Sequence, residues 1–525
     1  MISALRARSE TVLLLACTTV VVMAVVVPLA CLGLNAAHSG LSEFSGALTA
    51  LSSPQIWELL LTSLRISILT TVLSMLVGIL TGIFFAKAEV AGAKIALLFH
   101  AFPMFLPPFL LGLGWFHLLG RQGIVGSDFT AKLLFSEVGA ILVLTIAFAP
   151  IVTSLVVLGL RNIDPALEEA ARLVAHPWRV IFQILLPTAW PAVVLPGLIV
   201  FALAVSELGI PMFLRVKVYP AVVFSRLGGF AYSPGEALAL VAPLFLVALG
   251  ILVMERWILG NRSIETLAYR KQPPSSILSG GWAIFGTIWC WLLAVLSVLP
   301  LVSLAMRAYI TDGFADVANW MGNSVWNSLL QSSIAATAIT TVGVVVGHAF
   351  ARGRRGGVLM DGLSVLAFVT PAAVIGAGLI AAWNRPSTQF LYGTMGIVVL
   401  GFLGRYLILG VRTIAAAVAQ TSAAFEDAGA AFGAGYLRRL LRIVVPMHAR
   451  GIIAAWLLAM IFCLRDLETA ILVYPAGAEP LTVRIFTLEA NGPEGVVAAL
   501  ALLHVAITAI VLMAGIAFLA GRNSS

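Results

Sequence analysis

The chain has 525 residues, of which 61% are hydrophobic and only 10% charged, and its formal net charge is +8. Soluble domains carry about 25% charged residues, so a water-soluble globular fold is excluded. The Lys and Arg excess lies in loops between apolar stretches, where it reports membrane orientation rather than nucleic-acid binding. The alternating runs of about ten residues that mark an outer-membrane barrel are absent.

The apolar stretches are about 20 residues or longer, enough to cross a hydrocarbon core as helix. Twelve are expected, near 11–34, 57–86, 93–119, 138–160, 185–213, 236–259, 281–306, 327–351, 358–384, 391–416, 443–473 and 495–520. The first follows Arg6 and Arg8, is too long for a signal-peptide core and has no clear cleavage site, so it reads as a retained helix. Pro103-Met104-Phe105-Leu106-Pro107-Pro108 interrupts the third, and Thr370-Pro371 the ninth, at corresponding places. Prolines free backbone carbonyls, which is tolerable only where protein or a cavity satisfies them. These breaks read either as part of a transport path or as packing kinks.

Basic residues cluster at the N-terminus and after even-numbered spans: Lys87 and Lys94, Arg161 to Arg179, Arg256 to Lys271, Arg352 to Arg355, Arg438 to Arg442, and Arg522. Those sides are cytoplasmic by the positive-inside rule, as are both termini. The loop with Arg215, Lys217 and Arg226 goes against it.

The polar stretch 261–279, containing Pro273-Pro274-Ser275-Ser276, divides the chain near its middle. Before it, Thr62-Ser63-Leu64 leads through Gly82 to Ala86-Lys87; after it, Asn327-Ser328-Leu329 leads through Gly347 to Ala351-Arg352, 265 positions on throughout. Glu168 and Glu426 differ by 258, Pro187 and Pro446 by 259. A steady offset indicates duplication. Two halves, 1–260 and 280–525, each with six spans and therefore the same orientation, are related by an axis along the membrane normal. The expected fold class is an all-α polytopic membrane protein of twelve transmembrane helices in two parallel-related halves.

Two polar, helix-prone segments stand at matching places before spans five and eleven. In the first, Asp164 can cap a helix opening at Pro165, with Glu168 and Glu169 in its first turns, where the dipole favours acids. His176-Pro177 ends or bends it, a second short helix runs from Trp178 to Leu185, and Pro187 marks the turn into the membrane. In the second, Ala424 to Gly433 carries Glu426 and Asp427, Gly433-Ala434-Gly435 supplies the turn, and Arg438, Arg439 and Arg442 follow. One such segment could be an ordinary solvated loop. Two at matched positions point to docking on a soluble partner.

The pattern Glu168-Glu169-Ala170-Ala171, then a turn, then Leu186-Pro187 resembles the EAA loop of permease subunits of binding-protein-dependent ABC importers. The second copy keeps the glycine as Gly433 but has Asp427 and Gly429 where Glu and Ala are usual; the first has Val174-Ala175 where the glycine belongs and is one residue shorter before its proline. The resemblance spans both halves. Fused twelve-span permeases of this kind are similar to those of ferric-iron importers, with thiamine and phosphonate importers as close relatives. The stretch Arg465-Asp466-Leu467-Glu468-Thr469 through Tyr474-Pro475 to Leu481-Thr482-Val483-Arg484-Ile485-Phe486 looks most like the iron group.

The resemblance implies the type I ABC importer permease fold in a bacterial inner membrane. It also implies a homodimeric ATP-binding subunit docked at the cytoplasmic face through Glu168, Glu169, Ala170, Ala171, Glu426, Asp427 and Gly433. A periplasmic binding protein would deliver the solute, and nucleotide-driven closure of the ATPase pair would switch the cavity between sides. This chain has no GxxxxGK[ST] loop and cannot hydrolyse ATP by that route. It is thus expected not to be an enzyme and to bind no cofactor, ATP being used by the partner.

Ionisable side chains within a span usually face the bundle interior or a cavity. The candidates are Arg65, His100, His117, Glu207, His348, Arg405, Arg465, Asp466, Glu468 and His504. Glu207 and Asp466 share the offset of 259, twenty residues after Pro187 and Pro446, towards the periplasmic ends of spans five and eleven. With Glu468 they are the candidates for the translocation path. The alternative is a packing role, the acids pairing with Arg465, the neighbour of Asp466, or with backbone donors, or a position simply near the interface. No His, Cys and carboxylate cluster has metal-ligand spacing. Cys17, Cys31, Cys290 and Cys463 read as small apolar residues in or beside spans. An ion-gradient-driven secondary transporter would share the length and the halves but gives no reason for two acidic cytoplasmic helices. A membrane-embedded enzyme would need a convergent catalytic set that the sequence lacks.

Overall fold

The computed structural model describes residues 2–38, 52–227, 234–258 and 276–521. Among the described residues eight helices are long and apolar enough to cross a membrane unbroken: Glu10–Leu34, Pro54–Lys87, Glu137–Arg161, Ala239–Ile258, Gly281–Ile310, Ser324–Ala351, Gly396–Ala419 and Glu494–Leu519. Four further spans are bent pairs: Ala93–Phe105 with Pro108–Leu119 (109°), Pro177–Thr188 with Trp190–Ser206 (71°), Arg355–Val369 with Ala372–Trp383 (108°), and Tyr436–Met447 with Ala449–Leu464 (81°). Together they are the twelve spans of an all-α polytopic membrane protein. In chain order, spans three and five of the first six are bent, and so are spans nine and eleven of the second six.

Each bend has a local cause. Proline pushes the residue before it out of the helical region. Leu106, before Pro107, is extended at φ −99 and ψ 152, and Thr370, before Pro371, at φ −69 and ψ 124. Spans five and eleven bend elsewhere than expected. The turn lies at Ala189 and His448, two residues beyond Pro187 and Pro446. A proline inside a helix lacks the N–H for the carbonyl four residues back and crowds it. Here a wider π-helical stretch, Ile181–Leu185 or Leu440–Val444, precedes each Leu-Pro or Val-Pro step and absorbs that conflict. The expected spans 185–213 and 443–473 also end early, at Ser206 and Leu464, with the short helices Gly209–Phe213 and Ala470–Val473 beyond.

The two sets of spans interlock. Span one packs on Ala372–Trp383 of span nine, and span seven on both arms of span three. Glycine makes each crossing possible, because small residues let helices approach closely. A Cβ on Gly114 would lie 2.4 Å from the Pro300 carbonyl oxygen, and one on Gly378 3.0 Å from Pro28.

The expected linker 261–279 lies outside the described residues as far as 275, and so does Arg522. Where the chain resumes, the N–H groups of Ile277 and Leu278 donate to the Lys87 carbonyl at 2.8 and 2.9 Å, beside the end of span two.

Candidate functional site: two loop joints and a buried charge cluster

In the first loop Asp164 Oδ1 accepts the Ala166 N–H at 2.9 Å and opens the helix Pro165–Val174. Glu168 in its first turn does not face water. Its carboxylate turns inward to Lys87 Nζ at the end of span two, 2.5 Å away, with side chains only 2% and 3% exposed. The second loop repeats the joint on the helix Ala424–Ala431. Glu426 Oε2 meets His348 Nε2 at 2.8 Å, and Oε1 accepts from Arg352 Nε and Nη2 at 3.0 and 2.7 Å. Lys87 and Arg352 are the 265-offset equivalents at the ends of spans two and eight. Each loop helix is therefore clasped through an acid to a base that also complements a helix C-terminus.

Partial burial opposes the charge on Glu426, but the hydrogen bonds and charges of His348 and Arg352 outweigh it and hold the carboxyl down at about 2, from an ordinary 4.5. The Tyr436 hydroxyl lies 3.4 Å from His348 Nδ1, on the far side of the same histidine.

The two loops leave their helices differently. Phe432 ends the second and Gly433 follows at φ +87, the left-handed position that favours glycine. The first exits through Ala175 in extended conformation, φ −145, and needs no glycine.

Of the coupling residues read from the sequence, Glu169, Ala170, Asp427 and Gly433 face solvent, Glu426 is partly covered, and Glu168 and Ala171 are buried. Sequence reasoning missed the exposed apolar side chains beside them. Leu173 and Val174 are 87% and 83% exposed and Phe432 is 93% exposed, with Leu167 and Phe425 also outward. Leu167 with Phe425, and Val174 with Phe432, share the 258 offset. That recurrence of apolar residues in polar loops was the available signal.

The second constellation surrounds the breaks after spans five and eleven. Arg405 of span ten donates to Asp466 Oδ2 at 3.2 Å, Glu468 Oε2 at 2.6 Å and Thr469 Oγ1 at 3.0 Å. Tyr406 Oη donates to Asp466 Oδ2 at 2.6 Å, and Asp466 Oδ1 accepts the N–H groups of Thr469 and Ala470 at 2.8 and 3.2 Å. The expected Asp466–Arg465 pairing is replaced by Arg405, because Arg465 reaches instead to the Met104 carbonyl in the break of span three. Glu207 Oε1 accepts the Ile210 N–H at 3.2 Å, as Asp466 caps the turn after its own span, and Glu468 Oε1 accepts the Leu208 N–H at 3.1 Å. Glu207, Arg405, Arg465, Asp466 and Glu468 line a cavity of about 30 Å³ closed by Pro108 and Phe109. That is room for about one water molecule.

The other membrane-depth candidates stay apart from this cluster. Arg65 is exposed and pairs with Glu137 at 2.5 Å. His100 Nε2 lies 3.0 Å from Thr153 Oγ1, and His117 and His504 are buried singly in their spans. Among the described residues no three His, Cys, Asp or Glu side chains form a group that could hold a metal ion.

No family model matches the chain. It is similar to the ferric transport system permease protein FbpB of Actinobacillus pleuropneumoniae, 25% identical over 490 residues, which cover 87% of this chain and 70% of that one. It is also similar to the molybdenum transport system permease protein ModB of Escherichia coli K12, 30% identical over 164 residues, covering 30% of this chain and 71% of that one.

Proposed function

Because this chain belongs to the permease subunits of binding-protein-dependent ABC importers and is most like the fused, ferric-iron type, we propose that it moves ferric iron from periplasm to cytoplasm by alternating access. In this reading residues 1–260 and 280–525 are the two permease halves, and 261–279 joins them at the cytoplasmic face. A homodimeric ATP-binding subunit seats on the loops Pro165–Val174 and Ala424–Ala431, and a periplasmic binding protein supplies the solute at the opposite face. Both termini are cytoplasmic, on the side of the loops.

The observation that carries the proposal is the pair of joints. Lys87–Glu168 and Arg352–Glu426 tie the two loop helices to equivalent ends of spans two and eight. A displacement of either loop by a partner is then transmitted to a long helix of the bundle rather than dissipated in a solvated turn. The exposed Val174 and Phe432 supply the apolar contact such a partner needs, because anchors of an interface are large side chains that lose water on binding. The cavity at Glu207 and Asp466 lies where the two halves meet. Its three carboxylates and two guanidiniums suit passage of a charged solute rather than tight capture, which is the task of the binding protein.

The test is uptake by proteoliposomes holding this chain, its ATP-binding subunit and the binding protein. Ferric iron should enter only with internal ATP, and an ionophore should not abolish uptake. Uptake of molybdate, thiamine or a phosphonate in place of iron would overturn the substrate and keep the mechanism. Ionophore-sensitive uptake without ATP would overturn both.

A further inference from the structure

Four charged side chains that neither site uses meet on the loop side of the membrane: Glu255 and Arg256 at the end of span six, Asp361 in span nine and Arg412 in span ten. Asp361 is fully buried, and Glu255 and Arg412 nearly so. Arg412 donates through Nε and Nη2 to both oxygens of Asp361 at 3.0 and 3.2 Å. Its Nη1 stands 2.8 Å from Glu255 Oε1. Arg256 Nη2 donates to Asp361 Oδ2 at 2.5 Å, and its Nε lies 3.6 Å from Glu255 Oε2.

These bonds fall into two sets. Arg412–Glu255 and Arg256–Asp361 join span six, of the first six spans, to spans nine and ten, of the second six. Arg412–Asp361 and Arg256–Glu255 stay within one set of spans. If the two sets part, each keeps one acid and one base. No charge is left buried without its counter-ion, the outcome that makes breaking an ordinary buried pair so costly. The arrangement can therefore open and close by exchange of partners.

Glu255 and Arg412 also line a chamber of about 220 Å³ whose other walls, Ser154 and Thr413 apart, are apolar, among them Ile151, Leu198, Phe368 and Leu458. Met104 and Phe462 bound its opposite end, and Phe462 also lines the smaller cavity with Glu207 and Asp466. From that cavity towards the loops, the order is thus charged cluster, apolar chamber, charged cluster.

We propose that Glu255, Arg256, Asp361 and Arg412 form the cytoplasmic gate of this chamber, closed by the bonds between the two sets of spans and opened when each acid falls back on the base of its own set. This rests on the transport reading given above, and it assigns the exit side of the path. An apolar chamber gives a charged solute no resting place, and the gate parts without stripping either acid of a base.

The gate can be tested without knowing the solute, in the full chain with its ATP-binding subunit in membrane vesicles. A Ser154→Cys reporter on the chamber wall, in a chain whose four native cysteines are replaced by alanine, is exposed to an impermeant methanethiosulfonate from the cytoplasmic side. Under vanadate trapping, which holds the ATPase pair and with it the cytoplasmic ends of the spans together, adding Glu255→Ala should speed labelling at least tenfold, whereas Glu137→Ala, which breaks an exposed ion pair elsewhere, should not. As a second measurement, a disulfide between Glu255→Cys and Arg412→Cys should form readily under vanadate trapping and at least fivefold less at rest. Equal labelling with and without Glu255, in a chamber that does label, would overturn the gate alone, as would a crosslink indifferent to nucleotide. A reporter silent from both vesicle orientations and in every nucleotide state would remove the chamber from the path and overturn the transport reading with it.

Discussion

Lys87 and Glu168 form a 2.5 Å ion pair between the end of span two and the first loop helix, and both side chains are almost wholly shielded from water. Glu168→Gln leaves a buried ammonium short of its counter-charge, which costs about 3–5 kcal/mol. The melting temperature of the detergent-purified protein should fall, and transport with it. Replacing both by methionine should recover most of the melting temperature, since apolar substitutes for a buried pair are often neutral, but not the transport. A single Glu168→Gln variant melting like the parent would refute the joint.

Because Glu168 is internal, reversing its charge disturbs the loop's attachment and does not isolate docking. The exposed apolar residues do. Val174→Asp and Phe432→Asp should each weaken co-purification of the ATP-binding subunit, with Phe432 the more sensitive because it offers more apolar surface. The melting temperature should hold, since exposed substitutions usually change stability by within about 0.5 kcal/mol. Full co-purification of the double variant would show that the partner sits elsewhere.

Glu207 and Asp466 should separate on neutralisation. Asp466 accepts from Arg405, Tyr406, Thr469 and two backbone N–H groups, so Asp466→Asn should lower the melting temperature first. Glu207 accepts one backbone N–H and faces the cavity. Glu207→Gln should melt near the parent and transport a cationic solute more slowly per folded molecule. Equal melting losses in both would assign Glu207 to packing.

The Glu426 joint is acid-sensitive in a defined window. Its folded-state carboxyl titrates at about 2, below the ordinary 4.5. The folded state therefore binds its proton less readily than the unfolded chain, and the stabilisation is fully present above the ordinary value and lost as pH falls towards the folded one. Melting curves of the parent and of Glu426→Gln should differ at neutral pH and converge between pH 4.5 and about 2. A gap that stays constant down that range would mean Glu426 is not held as an ionised partner.

Gly114→Val should damage folding more than Gly378→Val. The new side chain at 114 meets main chain at 2.4 Å, whereas that at 378 starts at 3.0 Å. Overpacking typically costs about 1–3 kcal/mol and more where backbone must move. Yield and melting temperature rank the two; the reverse order would contradict the interlocked packing.

The twelve stretches, the breaks at Pro107 and Pro371 and the positions of both loops were legible because hydropathy, proline geometry and capping act over a few residues. What escaped was pairing at a distance. Asp466 was matched with Arg465 by adjacency, yet the turn after Leu464 sends Arg465 to the Met104 carbonyl, and the true partner of Asp466 stands in another span. Glu168 read as a surface acid because its loop is polar, while the base that draws it inward is 81 positions away. Asp361 and Arg412 were not singled out at all, since nothing local distinguishes them from loop-edge charges. The bend after Pro187 shifted because a π turn, invisible in composition, absorbs the proline.

The crossing of Pro28 with Gly378 also sets a schedule for biogenesis. About 350 residues separate the two, and at roughly 5–20 residues per second of synthesis the first span waits roughly 20–70 s for its permanent neighbour to emerge. Until then it packs only on earlier spans, chiefly span six and the start of span two through Leu32. Span seven arrives when its own seat, span three, is already built. Docking of the first span is thus finished only by sequence from beyond the midpoint, and truncations just past the midpoint should leave the N-terminal helix membrane-inserted but only partly docked.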